Sequence, residues 1–209
     1  ARGAAGASGN TTSGIFYDSF IAKVTDVRLG KPKWKPFFKA SDKIYYNQGE
    51  IREQYFIYRR ATPEGNELCQ VEISDPNFDT PSILATGSRD SPITQFEVTK
   101  NHIYFVREKF GVEISIFEID GQQNITQLNP PFVPGYASFF GESVTHDNIG
   151  IGMDGWTSNY IRYCINDKGD FTNEGILESP QFPEFKDLVS EQIMINSRDG
   201  VSVPLSLIY

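Results

Sequence analysis

The chain has 209 residues, 39% of them hydrophobic and 13% aromatic, so it can bury a sizeable core and is not a disordered segment. Its formal charge is −8 with a pI near 4.8, and no basic cluster offsets that balance, which excludes the electrostatic footprint of a nucleic-acid or anionic-membrane binder. No apolar run approaches the roughly 18 residues a membrane helix needs.

In chain order, residues 1–14 are rich in Gly, Ala, Ser and Thr, and read as a flexible leader or a loop cut from something longer. They lack the apolar core of a signal peptide. Ile15 to Val27 carries Phe16, Tyr17, Phe20, Ile21 and Val24, and predicts two short strands, the second ending at Val27. Trp34, Phe37 and Phe38 follow between Pro32 and Pro36. Proline cannot donate to a ladder, so this stretch reads as an edge strand.

The next unit predicts strands at Lys43 to Tyr46, Gln54 to Arg59, Glu67 to Ile73 and Ser82 to Thr86, with a turn-rich connection over Ala61 to Asn66. A second set falls at Ile93 to Val98, His102 to Arg107, Glu113 to Ile119 and Ile125 to Leu128. A third falls at Tyr136 to Phe140, Asn148 to Met153, Tyr160 to Ile165 and Ile176 to Glu178. No amphipathic helix pattern of useful length appears.

A short strand recurs through these sets. Thr25-Asp26-Val27, Val71-Glu72-Ile73, Phe117-Glu118-Ile119 and Tyr163-Cys164-Ile165 end 46 residues apart each time, and a polar turn or connection follows each. Strand-built repeats of roughly 40–50 residues are the mark of propeller blades. A four-stranded sheet this small is stable only when stacked on neighbours. The expected fold class is therefore all-β, propeller blades over residues 15–179, one partial and three complete, forming either a closed four-bladed ring or an arc of a larger propeller.

The repeat stops at Ser179. Residues 180–189 form a proline-punctuated linker, and residues 190–209 form a hairpin turning at Asp199-Gly200. This hairpin is out of phase with the blades. It reads as the start of another domain, inside which the chain ends.

Candidate chemistry is sparse. The nucleophile elbow Gly-x-Ser-x-Gly is not matched: Gly6 to Asn10 and Gly141 to Thr145 both lack the final glycine. Ser143 and His146 stand three residues apart in a blade loop without a helix, and His102 opens a strand, where a packing or rim role fits better than catalysis. Gly150-Ile151-Gly152-Met153-Asp154-Gly155 spells a dinucleotide fingerprint, but a strand follows where a helix is required. Its glycines read as close packing or a bulge. Asp75, Asp79, Asp120, Asp147, Asp154 and Asp167 sit mainly in turns without calcium-loop spacing. Two distant histidines and two distant cysteines make no zinc site. Cys69 and Cys164 lie on repeated strands two repeats apart, so they are expected as free thiols; they fit a reducing, cytoplasmic setting. Asn10-Thr11-Thr12 and Asn124-Ile125-Thr126 match glycosylation acceptors, triplets that also arise by chance. No catalytic, cofactor-binding or metal-ligating residue is therefore assigned.

One stretch resembles a known family. Val189 to Ile193, then Ser197-Arg198-Asp199-Gly200-Val201-Ser202-Val203-Pro204-Leu205-Ser206-Leu207-Ile208-Tyr209, is similar to the segment where prolyl oligopeptidase-type serine peptidases leave their propeller. Arg60 to Pro76 looks like a blade of that propeller. The ending and Ile93 to Ile119 look closer to the oligopeptidase B branch, whereas Arg60 to Pro76 fits the prolyl branch equally well. The resemblance implies a seven-bladed propeller gating a Ser/Asp/His site, with the hairpin opening an α/β-hydrolase domain. It implies short peptides as substrates, cut after proline or a basic residue, and no cofactor. The triad and the catalytic domain that would pack on the propeller lie outside these residues, so the chain alone is expected to be inactive. The other reading is a stand-alone propeller that binds a protein or peptide.

Overall fold

A computed structural model describes residues 4–5, 16–110, 113–141, 144–176 and 187–209. The chain divides into two compact units, Ala1–Arg89 and Asp90–Tyr209.

The first unit opens with small pieces. Strand β1 (Ala4–Ala5) pairs with β2 (Phe16–Tyr17), and β3 (Phe20–Ile21) pairs with β4 (Lys35–Pro36). The rest of the expected leader lies outside the described residues. The strand expected to end at Val27 is corrected: Val24–Arg28 is a short helix, α1. The 46-residue spacing therefore overreaches by one repeat. Val27 matches it in sequence, but Leu29 N–H and Gly30 N–H bond back to the Thr25 and Val27 carbonyls, which closes a helical turn.

A four-stranded antiparallel meander follows: β5 (Ile44–Arg52), β6 (Tyr55–Thr62), β7 (Gly65–Glu72) and β8 (Ser82–Ser88). Strand β5 is longer than expected because it carries an irregularity between Ile44 and Gly49, beyond which pairing with β6 resumes. Phe38, Ile44, Phe56, Tyr58, Cys69 and Val71 form the core, with Phe37 and Phe78 packed against it. Phe38, Phe56 and Tyr58 stack in turn, and the Phe78 ring meets Phe37 edge-on. Such tilted and offset contacts are the favoured aromatic arrangements. Ile73 follows the end of β7, and its N–H donates to the Gln54 carbonyl.

The second unit holds two meanders and a hairpin. One sheet is β9 (Ile93–Val98), β10 (Ile103–Lys109), β11 (Glu113–Ile119) and β12 (Ile125–Gln127). The next is β13 (Tyr136–Phe140), β14 (Ile149–Gly155), β15 (Ser158–Ile165) and β16 (Phe171–Asn173). Ile103 pairs with Ile119, and Ile149 with Ile165, so the repeat spacing is also a structural register. The two sheets share one core: Tyr104, Val106, Ile116 and Leu128 from the first meet Ala137, Ile149, Ile151, Met153, Tyr163 and Ile165 from the second.

The last strand of that second sheet is corrected. It is Phe171–Asn173, not Ile176 to Glu178; Ile176 lies beyond it, and Leu177 and Glu178 are outside the described residues. The reason is the turn. The Asn166 side-chain carbonyl accepts the N–H groups of Lys168 and Asp170, so the chain reverses at once and β16 starts at Phe171.

The fingerprint-like glycines lie within β14, which has an irregularity between Met153 and Gly155, as expected. A Cβ at Gly150 would collide with the Phe140 ring, and one at Gly152 with the Tyr160 ring. These rings lie flat on the strand because glycine leaves room. Finally, β17 (Ser190–Asn196) pairs with β18 (Ser202–Ile208), turning over Ser197 to Gly200. The pairing puts Ile193 opposite Leu205 and Ile195 opposite Val203, all on one face with Leu207.

Candidate functional site

In an antiparallel meander, alternate connections lie at opposite ends. The β9–β10 and β11–β12 turns therefore share one end of their sheet, and the β13–β14 and β15–β16 turns share one end of the next. Hydrogen bonds show that these two ends coincide. Asn101 N–H and its side-chain amide donate to the two oxygens of Asp147, each at 2.7 Å, across a separation of 46 residues. Lys100 N–H donates to the His146 carbonyl at 3.0 Å.

This end is polar and closes on itself. Asp120 accepts the N–H groups of Gln122 and Asn124 and the Asn124 side-chain amide. That amide, foremost among these donors, holds the Asp120 carboxyl below its usual range. The Asn124 side chain of the glycosylation-like triplet is thus engaged in a turn. The His102 ring sits between two carboxylates, Nε2 at 3.7 Å from Glu118 and Nδ1 at 3.6 Å from Asp147. Tyr104 donates its hydroxyl to Glu118 at 3.1 Å. Burial pushes the Asp147 carboxyl up, but the two Asn101 donors, His102 and Lys100 together hold it below its usual range.

That depression sets a pH dependence. An acid whose folded value is lowered stabilises the fold above its unfolded value, near 3.9, and loses that contribution as pH falls through the folded one. We expect Asp147→Ala to cost about 1 kcal/mol at pH 7. The difference from the wild type should shrink below about pH 4. Urea titrations at pH 7, 5 and 3 measure it; a gap that stays constant down to pH 3 counts against the Asp147 clasp.

The first strands of the two sheets are joined by a side chain. Gln95 on β9 donates its amide N–H to the Ala137 carbonyl at 3.0 Å and accepts the Phe139 N–H at 3.4 Å. The amide stands in for a peptide group at the Ala137 carbonyl and the Phe139 N–H of β13.

The opposite end carries the β14–β15 turn, the connection from β12 to β13 and the end of β16. Gly135 N–H donates to the Asp154 carbonyl at 2.8 Å, and a Cβ on Gly135 would lie 3.9 Å from the Trp156 indole nitrogen. Phe132 packs against the shared core, with its ring centroid 6.4 Å from that of Tyr163. Val133, Tyr136, Trp156 and Ile176 are all exposed.

Of the residues weighed for catalysis, the structure describes the two histidines. Ser143 and Glu142 lie outside the described residues, as do Ser8 and Asn10. His146 is exposed in the β13–β14 connection. His102 joins two carboxylates rather than an elbow serine. Burial pushes the Cys69 thiol up to about 12, so it is an inert core group rather than a nucleophile. Cys164 is also free and shifted up by burial. Among the described residues, no cluster of three or more His, Cys, Asp or Glu could hold a metal ion, and no helix is long and apolar enough to cross a membrane.

No family model and no curated protein sequence matches this chain. Solved structures do. A prolyl endopeptidase structure, from a study of two such enzymes and their inter-domain dynamics, superposes with a TM-score of 0.71 at 14% identity, over 94% of this chain and 28% of the other. This is the fold of a prolyl oligopeptidase propeller region. Prolyl oligopeptidase B from Galerina marginata matches at TM-score 0.69 and 14% identity, over 90% of this chain and 27% of the other. Oligopeptidase B from Trypanosoma brucei gives 0.66 and 13%, over 86% and 27%. The chain thus spans about a quarter of the prolyl oligopeptidase-type structures it matches. Its three four-stranded sheets fit propeller blades.

The resemblance was legible in the sequence, but Gln95, the Asn101–Asp147 clasp and the apolar end were not picked out. The clasp carried a signal: its partners stand one repeat apart. Gln95 carried none, because a single glutamine in a strand looks like any polar surface residue.

Proposed function

We propose that this chain is the propeller, substrate-gating portion of a serine oligopeptidase that hydrolyses short peptides after proline or basic residues. The observation that carries this is the similarity in fold to the prolyl endopeptidase structure over 94% of the chain. The named neighbours are prolyl and B-type oligopeptidases, which supports a peptidase parent. The chain's own part is to wall off a site and admit only what fits past the blades. Stacked sheets joined by a shared core and by Gln95 suit that task, because close-packed interiors resist opening to a folded protein. Acyl transfer itself needs a nucleophile, a base in reach and oxyanion donors, and these belong to the second domain in this reading.

The test uses fluorogenic peptides with Pro or Arg before the scissile bond, and a fluorophosphonate probe. The 209-residue chain should show neither turnover nor labelling, and the protein extended past Tyr209 should show both. Turnover by the short chain that disappears on Ser143→Ala overturns the assignment, and so does probe labelling of any of its serines. An extended protein that is silent towards both reagents favours the alternative, a propeller that binds a protein or peptide partner.

A further inference from the structure

The overall charge of −8 is unevenly spread. Residues 22–35 carry Lys23, Arg28, Lys31, Lys33 and Lys35 against one carboxylate, Asp26. The expectation that no basic cluster offsets the charge is corrected at this segment, and with it the ground for excluding an anionic surface. All five cations are exposed. Among the described residues, no ion pair joins any of them to a carboxylate.

Apolar side chains are interleaved with these charges. Leu29 is 75% exposed, Val24 63%, Trp34 54% and Val27 46%. Helix α1 is inside out. A surface helix of a globular protein turns its apolar stripe to the core. Val24 and Val27, three apart and so on one face, are instead exposed, while Asp26 is half-buried and no residue of the helix is fully buried.

The segment is one closed excursion. Its two ends meet where Phe20 pairs with Pro36 and Ile21 with Lys35. Beside these pairs, Ser19 N–H donates to the Phe38 carbonyl and Phe37 N–H to the Ser19 carbonyl, each at 2.8 Å. Phe38 is buried in the core of the first unit, which anchors the base. Within the loop, Leu29 N–H donates to the Thr25 carbonyl and Lys31 N–H to the Asp26 carbonyl. Gly30 makes the intervening reversal, with φ at +68°. Charged and apolar groups therefore stand together on one short, folded loop.

Shape and charge indicate the occupant. Every residue from Val27 to Lys35 except Pro32 is exposed, so the loop protrudes and forms no groove. A fluid bilayer accepts a protruding loop without a matching concavity. Basic side chains are drawn to its anionic headgroups, while aliphatic and indole groups enter the boundary with the acyl chains. Tryptophan favours that boundary because its ring is amphipathic. Nucleic acid would supply phosphates but no apolar phase for Val24, Val27 and Leu29. The acidic remainder of the chain does not cancel the cluster, since exposed charges more than about 8 Å apart are largely screened at physiological salt.

We propose that residues 22–35 form a docking site for an anionic lipid bilayer. Leu29 and Trp34 enter the interface, and Lys31, Lys33 and Lys35 lie among the headgroups. This goes beyond the peptidase reading and does not depend on it: it concerns where the chain is held, not what it cuts.

Vesicle co-sedimentation and Trp34 emission test it. The chain has two tryptophans, so Trp156→Phe, at an exposed site, leaves Trp34 as the indole reporter. The 209-residue chain should sediment with vesicles of mixed phosphatidylcholine and phosphatidylserine, and not with phosphatidylcholine alone. Trp34 emission should shift to the blue with the mixed vesicles only. Raising salt from about 0.1 M to about 1 M should release most of the bound chain, because the screening length falls from about 10 Å to about 3 Å. Lys31→Glu, Lys33→Glu and Lys35→Glu combined should weaken binding by at least about tenfold, since each basic group adds to the attraction. Leu29→Ala should weaken it several-fold and leave the salt dependence as it is. Urea midpoints of these exposed-site variants should match the wild type, which separates lost binding from lost folding. Equal binding to both kinds of vesicle, an unmoved Trp34 emission, or a folded triple variant that binds like the wild type overturns the site. Binding to poly-glutamate or to duplex DNA without binding to the mixed vesicles also overturns it, in favour of an acidic protein segment or a nucleic acid.

Discussion

Replacing Gly65 with alanine should cost at least about 3 kcal/mol, a large share of the stability of an ordinary domain. Gly65 opens β7 after the two-residue turn Pro63-Glu64, with φ at +153°, a region L side chains rarely adopt. It is also buried between two strands, pairing with Thr62 on β6 and Ser88 on β8. A Cβ there would run into the Gly87 carbonyl oxygen and lie 2.6 Å from the Ser88 carbonyl carbon. All of these are backbone atoms, so no side chain can rotate away. The relief is to move β8 outward, which breaks the Asn66–Gly87 and Gly65–Ser88 pairs. Arg89 resists that movement through its 2.8 Å bond to the Pro63 carbonyl. Glu64→Ala, one residue earlier and exposed, should stay within about 0.5 kcal/mol. Urea denaturation of both variants decides the point. A Gly65→Ala midpoint close to the wild type would show that β8 moves freely and that the turn is not the constraint.

Ile151→Ala should cost about 3–4 kcal/mol, and its effect should reach both sheets of the second unit. Ile151 is fully buried on β14, in the cluster that also holds Tyr104, Val106 and Ile116 of the neighbouring sheet. Truncation removes buried methyl groups and leaves a cavity between the sheets that neither can collapse to fill. Ile151→Val, which removes one methylene, should cost only about 0.5–1.5 kcal/mol. Ile125→Ala on the exposed β12 should be close to neutral. Hydrogen exchange gives the distinguishing readout. Amides of β10 and β11 should exchange faster together with those of β14 and β15. Faster exchange confined to β13 to β16 would mean that the sheets are stable singly, and that stacking contributes little.

The sequence by itself determined the strands and their recurrence. Runs rich in aromatic and β-branched residues placed β9, β11, β13 and β17 at their observed limits, because such side chains fit a pleated, half-buried surface. The 46-residue recurrence held for the two sheets of the second unit, where Ile103–Ile119 and Ile149–Ile165 occupy one register. The hairpin turn at Asp199-Gly200 was equally legible, since Gly200 takes the positive φ that few other residues tolerate. The glycines of β14 were readable as packing rather than phosphate binding, because the motif lacks its helix.

The tertiary structure decided the rest. Val27 fits the recurring pattern yet lies in a helical turn, since three residues of pattern cannot compel a strand that has no partner. The last strand of the third meander begins at Phe171 because the Asn166 turn fixes where the chain can reverse, whereas the apolar content of Ile176 to Glu178 argued for a later start. The Asn101–Asp147 clasp and the Gln95 bridge exist only when two sheets stack, and no local pattern encodes a contact across 42 or 46 residues. The same holds for the apolar end. Val133, Tyr136, Trp156 and Ile176 are exposed, and the segments that carry them lie at the same end of the sheets because antiparallel strands bring alternate connections to one side.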